Sequence, residues 1–208
     1  MAVSAIDRPG TLQRGIKLEW FTVGWNFLEG LISVIAGAVA GSVALVGFGA
    51  DSWIETSSGA VLLWRLYAEK RGGHPEILEN WAVRLVGISF LLLAVYVTWD
   101  ALSSLLKREA PEHSIVGIVV AVLSLIAMPL LAAAKRRTAR TLSSAALQAD
   151  SRQTSICAYL SIILLGGLLL NTLFGWWWAD PAAALVMVPI ITKEGVDGLR
   201  GKRCPDCH

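Results

Sequence analysis

From Ser42 to Leu66 the chain is apolar enough and long enough to cross a lipid bilayer, yet two carboxylates, Asp51 and Glu55, stand in the middle of the stretch. Four residues apart, they share one face of a helix, one turn above the other. An ionised side chain at the bilayer centre costs roughly 2.5–3.5 kcal/mol on insertion scales, so such residues face a protein interior and serve a purpose there. A structural pairing or snorkelling is the alternative purpose, and the sequence offers it little support. The nearest basic residue in the same stretch is Arg65, ten positions beyond Glu55, or about 15 Å along a helix axis. Two intramembrane carboxylates without a neighbouring counter-charge are suited to holding a cation.

The rest of the chain supports a membrane setting. Of 208 residues 55% are hydrophobic, and the mean hydropathy of +0.59 exceeds what a soluble core requires. Six apolar segments are predicted as helices, at about 20–40, 42–66, 80–105, 114–134, 144–170 and 175–193, each near the roughly 20 residues that span a bilayer. The expected fold is all-α: an integral membrane bundle of six transmembrane helices. Residues 1–17 are expected to form an N-terminal tail, 18–195 a single transmembrane domain and 196–208 a C-terminal tail. Only Ala40, Gly41 and Ser42 separate the first two segments, which predicts a tight hairpin, and the Gly37/Gly41 spacing lets two helix backbones approach closely.

Basic residues set the orientation. Arg8, Arg14 and Lys17 precede the first segment. Arg65, Lys70, Arg71 and Arg84 flank the second loop, Lys135, Arg136, Arg137 and Arg140 the fourth, and Lys193, Arg200, Lys202 and Arg203 follow the last segment. The alternate loops hold only Lys107 and Arg108, offset by Glu109 and Glu112. By the positive-inside rule both termini are cytoplasmic. The N-terminal sequence lacks the apolar core of a signal peptide, and a bacterial cytoplasmic membrane is the expected location. A net charge of +2 carries little information by itself; no nucleic-acid partner and no enzymatic activity are expected.

Further polar residues lie inside the apolar segments. Asp150, Gln153 and Cys157 follow spacings of three and four, which place them on one stripe of the fifth helix. A deprotonated thiol is a soft ligand suited to zinc or cadmium, and a carboxamide oxygen is a weak neutral one. Glu29 shares a face with Asn26 in the first helix and is expected to be either a structural partner of Asn26 or an additional ligand or proton carrier. Asp180, ahead of Pro181, reads as a structural cap or turn residue, and Glu19 and Asp100 as interfacial residues near helix ends. Tryptophans 20, 25, 64, 81, 99 and 176–178 mostly flank the segments, as membrane-interface anchors do. In the C-terminal tail Cys204, Cys207 and His208 form a compact set of metal donors. The CxxCH string also attaches c-type haem, but that chemistry takes place outside the cytoplasm.

These segments resemble the cation diffusion facilitator family. SVALVGFGADSWIE looks like that family's second span, where S-x-A-L precedes an acidic or histidine residue and, four positions later, an aspartate. ALQADSRQTSIC is similar to the fifth span, A-D-x-x-(H/D)-x-x-x-D, and WWWADPAAAL to the sixth, with its Asp-Pro. The resemblance covers roughly residues 18–195. It implies an intramembrane metal site formed by Asp51, Glu55, Gln153 and Cys157; the residues themselves add Glu29 and Asp150 as possible additional ligands and Cys204, Cys207 and His208 as a possible tail site. Glu55 stands where the family usually has aspartate, Gln153 where it has histidine or aspartate, and Cys157 where it has aspartate. Two carboxylates, an amide and a thiol still suit a tetrahedral d-block ion.

The implied function is export of a divalent metal from the cytoplasm in exchange for protons, with zinc the leading expectation and cadmium or iron the alternatives. No cofactor beyond the transported metal is expected. The resemblance also implies a homodimer, held through its transmembrane domain because the soluble domain usual in the family is not expected here. Two alternatives come from the same residues. One is a non-transporting membrane sensor or accessory protein that binds metal through its tail, and the other is an exporter of iron or manganese on the same fold.

Overall fold

A computed structural model describes residues 8–71, 76–108 and 111–200. Six helices follow one another: α1 (Arg8–Ala40), α2 (Val43–Lys70), α3 (Glu76–Lys107), α4 (Ile115–Leu142), α5 (Ala145–Phe174) and α6 (Ala179–Leu199). Among the described residues the fold is an all-α bundle, as expected. Several helices outrun the predicted segments. α1 begins at Arg8, so much of the expected N-terminal tail is helical, and α4 carries Lys135, Arg136, Arg137 and Arg140 on its own last turns, not in a loop. The apolar run is set by bilayer thickness, but a helix continues for as long as its inner stripe finds partners. Here Leu12, Ile16, Ala139 and Leu142 pack with Leu62, Leu63, Leu66 and Leu147 in an apolar cluster.

α1 is built inside out. Phe27, Leu28, Ile32, Ile35 and Val39 are exposed, while Glu19, Thr22, Asn26, Glu29 and Ser33 are buried. In water this arrangement would expose an apolar face and strand polar groups; against lipid tails it is the stable one. α1, α3, α4 and α5 are each long and apolar enough to cross a membrane by composition alone. α2 need not be, because it touches α1, α3, α5 and α6 and meets protein on most sides. The most extensive pairings are α1 with α2, α4 with α5, and α3 with α6.

Serine caps start three of the helices: Ser42, Ser114 and Ser144 accept hydrogen bonds from the backbone of Leu45, Gly117 and Leu147. The α1–α2 hairpin is as tight as predicted. Gly41 takes a left-handed φ of 65°, and at Gly37 a Cβ would lie 2.8 Å from the backbone nitrogen of Val46, leaving no room for a larger residue. Asp180 is the structural residue expected of it, in a particular way. From the start of α6 it accepts hydrogen bonds from Ser42 Oγ at 2.5 Å and from the Ala44 backbone N–H at 3.4 Å. A carboxylate thus sits at the N-terminus of α2, where the helix dipole favours negative charge.

The interior is layered along the bundle. One apolar cluster includes Leu45, Phe48, Ala121, Met128, Leu160, Leu164, Ala184 and Met187. The second is the Leu12–Leu147 cluster described above. Between them α2, α4 and α5 all turn polar, at Asp51–Glu55, Lys135–Thr138 and Asp150–Thr154, and the polar stripe of α1 starts just beyond Ile16. The candidate site lies in this polar layer.

Candidate metal site

Asp51 and Glu55 are both buried, at 4% and 1% exposure. They sit on the inner face of α2 because Gly47, Phe48, Gly59 and Leu62 on the same stripe pack into the bundle. Cys157 on α5 is 1% exposed and Glu29 on α1 is 3% exposed. Every pair among Glu29, Asp51, Glu55 and Cys157 is near enough for the charge of one to act on the other. Ser124 of α4 faces both Glu29 and Cys157. All four helices therefore contribute to one neighbourhood, and Glu29, whose role the sequence leaves open, belongs to it.

The donors are neighbours but do not converge. Among the described residues no group of three or more His, Cys, Asp or Glu side chains is arranged to hold a metal ion. Both Glu29 oxygens, Glu55 Oε2, both side-chain polar atoms of Asn26, Ser33 Oγ and Ser124 Oγ are enclosed without a hydrogen-bond partner among those residues. A buried unsatisfied polar group costs about 1–3 kcal/mol, so this concentration of polar atoms is what singles the layer out as the candidate site.

Gln153 is half-buried, with its amide nitrogen enclosed and unpartnered among the described residues. Its neighbour Thr154 makes the link across to α2, donating a 2.8 Å hydrogen bond from Oγ1 to Glu55 Oε1. Sequence reasoning misses Thr154. The only signal is its position four residues after Asp150, on the stripe that Gln153 and Cys157 border.

Asp150 is placed differently from a free ligand. Its Oδ2 accepts from the Lys135 ammonium at 2.5 Å, and the same ammonium lies 3.1 Å from Glu19 Oε2. Lys135 and Glu19 are both fully enclosed. This corrects two expectations: Glu19 is not interfacial, and Lys135 is not a loop cation that merely sets topology. Sequence alone could have flagged Glu19, which opens the 3-4-3-4 stripe of Glu19, Thr22, Asn26, Glu29 and Ser33. Cys204, Cys207 and His208 lie outside the described residues.

Six helices with an apolar exterior and an enclosed layer of carboxylates and thiol define a multi-pass membrane protein. Residues 20–201 match the family described as the cation efflux transmembrane domain, and the chain belongs to that family. It is similar to transmembrane protein 163 of Xenopus laevis, at 27% identity over 66% of this chain and 49% of the relative. It is also similar to an uncharacterized transporter of Synechocystis, at 27% identity over 71% of this chain and 50% of the relative. A third relative, an uncharacterized transporter of Methanocaldococcus jannaschii, is 26% identical over 83% of this chain and 62% of its own length. The chain spans about half the length of the first two relatives and somewhat more of the third.

Proposed function

We propose that this protein exports a divalent, zinc-like metal ion from the cytoplasm through the polar layer of the bundle, in exchange for protons. The observation that carries the reading is the enclosed set Glu29, Asp51, Glu55 and Cys157, contributed by three helices of a cation efflux domain. Asp51 and Glu55 supply charge, Cys157 supplies softness that favours zinc or cadmium over manganese, and Gln153 supplies a neutral oxygen. Glu29 offsets that neutrality. Convergence of these groups on an ion requires the helices to shift, which is what alternating access supplies. Carboxylates and a thiol bind metal only after losing protons, so the same groups couple the two fluxes. Cys204, Cys207 and His208 collect metal at the cytoplasmic side. The working unit is a homodimer joined through its membrane helices, in a bacterial cytoplasmic membrane.

The test is metal flux in proteoliposomes containing only this chain. Zinc or cadmium uptake by the native protein, absent in Asp51→Ala at equal insertion, is the expected result. Removing a buried charge relieves a desolvation cost, so Asp51→Ala should remain folded. Normal transport by that variant would place the site elsewhere, and no flux from the native protein would favour a sensor or accessory role.

A further inference from the structure

The Lys135 ammonium donates three hydrogen bonds, to Asp150 Oδ2 at 2.5 Å, Glu19 Oε1 at 3.3 Å and Thr154 Oγ1 at 3.3 Å. These use all its protons. Its partners come from α1 and α5, and Thr154 passes the contact on to Glu55 of α2. One lysine side chain thus joins all four helices that frame the metal site. The charges around it do not balance. Glu19, Asp150 and Glu55 are three carboxylates around a single ammonium, and Asp150 Oδ1 and Glu55 Oε2 are enclosed with no hydrogen-bond partner among the described residues.

The position of the network along the bundle is equally specific. On α5, Leu147 belongs to the apolar cluster at the basic end of the molecule, Asp150 and Thr154 come next, and Cys157 follows. On α2 the order reverses, as the antiparallel direction requires: Asp51 and Glu55, then Leu62, Leu63 and Leu66. The ammonium therefore lies between the apolar plug at the basic end and the metal site. From Asp150 to Cys157 is about 10 Å along the helix.

We propose that Glu19, Asp150, Thr154 and Glu55 form a second cation station on the path to the metal site, and that the ammonium of Lys135 is its resident, tethered cation. An arriving divalent metal displaces the ammonium, which swings away on its flexible stem. This rests on the transport reading above. The station's donors are all oxygen, whereas the deeper site adds a thiol, so the station takes hard and borderline divalent ions alike. Selection by softness is left to the deeper site. The tethered charge also removes the need to bury three uncompensated carboxylates when no metal is present.

The experiment counts cadmium and manganese bound per chain by equilibrium dialysis of full-length protein in nanodiscs, comparing native, Asp51→Ala, Lys135→Met and the double variant. At a metal concentration that fills the deeper site but is too low to displace the ammonium, Lys135→Met is expected to bind one more equivalent than the native chain, manganese included, and to gain thermal stability from metal. The double variant is expected to keep that extra equivalent. Equal stoichiometry in native and Lys135→Met protein at that concentration would overturn the station and leave a structural ion pair. Should Lys135→Met not fold, amine-reactive labelling of the native protein reads the same event by peptide mass spectrometry. Labelling at Lys135 is expected to rise when cadmium is added, and unchanged labelling would overturn the proposal. Failure of the transport reading shows separately, as no cadmium bound by the native chain, while the gain on removing Lys135 still reports on the station.

Discussion

Thr154 holds Glu55 across the α5–α2 interface, its Oγ1 donating to Oε1 at 2.8 Å while the other oxygen, Oε2, has no hydrogen-bond partner among the described residues. One oxygen is fixed, and in the proposed metal site the other is the one that would meet the ion. Thr154→Val should therefore release Glu55 and weaken metal binding about tenfold, the equivalent of roughly 1.4 kcal/mol and within the range for a typical intramolecular hydrogen bond. Thr154→Ser should restore it. Transport titrated against zinc concentration checks this: a raised KM with the serine variant near native supports the role, and equal loss in both variants would point to packing of the threonine methyl group.

Cys157 is expected to set preference among metals more than activity as such. Cys157→Asp restores the residue usual in the cation diffusion facilitators and replaces a soft donor with a hard one. Selectivity should move away from cadmium toward manganese. Competition flux assays with the two ions measure the shift, and an unchanged profile would make Cys157 a packing residue of the cluster it shares with Leu160 and Met187.

Proton exchange carries its own sign. Asp51, Glu55 and Cys157 must be deprotonated to take metal, and protons on the receiving side help to release it. Acidifying the receiving side should accelerate export and acidifying the cytoplasmic side should slow loading, in vesicles clamped at zero membrane potential. Indifference to both gradients would exclude protons as the exchanged ion.

Asp180 bridges α6 to the start of α2 and lies outside the proposed metal site. Asp180→Ala strands the Ser42 hydroxyl and the Ala44 N–H in a buried setting, at about 1–3 kcal/mol for each group. A lowered melting temperature in detergent, with unchanged metal preference in the protein that remains folded, is the expected outcome. Altered preference would give Asp180 a part in the transport path.

Much of this molecule is legible in one dimension. Bilayer thickness dictates the apolar run, so six helices and their order follow from hydropathy, and the Ala40–Ser42 break predicts a tight turn. Asp51 and Glu55 are legible too, because a charge inside an apolar run is conspicuous and its cost is general. The residues that link the site are not conspicuous. Gln153 and Thr154 are adjacent on a helix, about 100° apart, and only the rotation of α5 against α2 brings the threonine to Glu55. Lys135 lies at the end of an apolar run beside Arg136 and Arg137, where sequence reads a topological signal. The continuation of α4 past the membrane segment, packed against α1 and α5, turns that charge inward onto Glu19 and Asp150. Local composition thus determines which residues enter the membrane, while the packing of helices distant in sequence decides which of them meet.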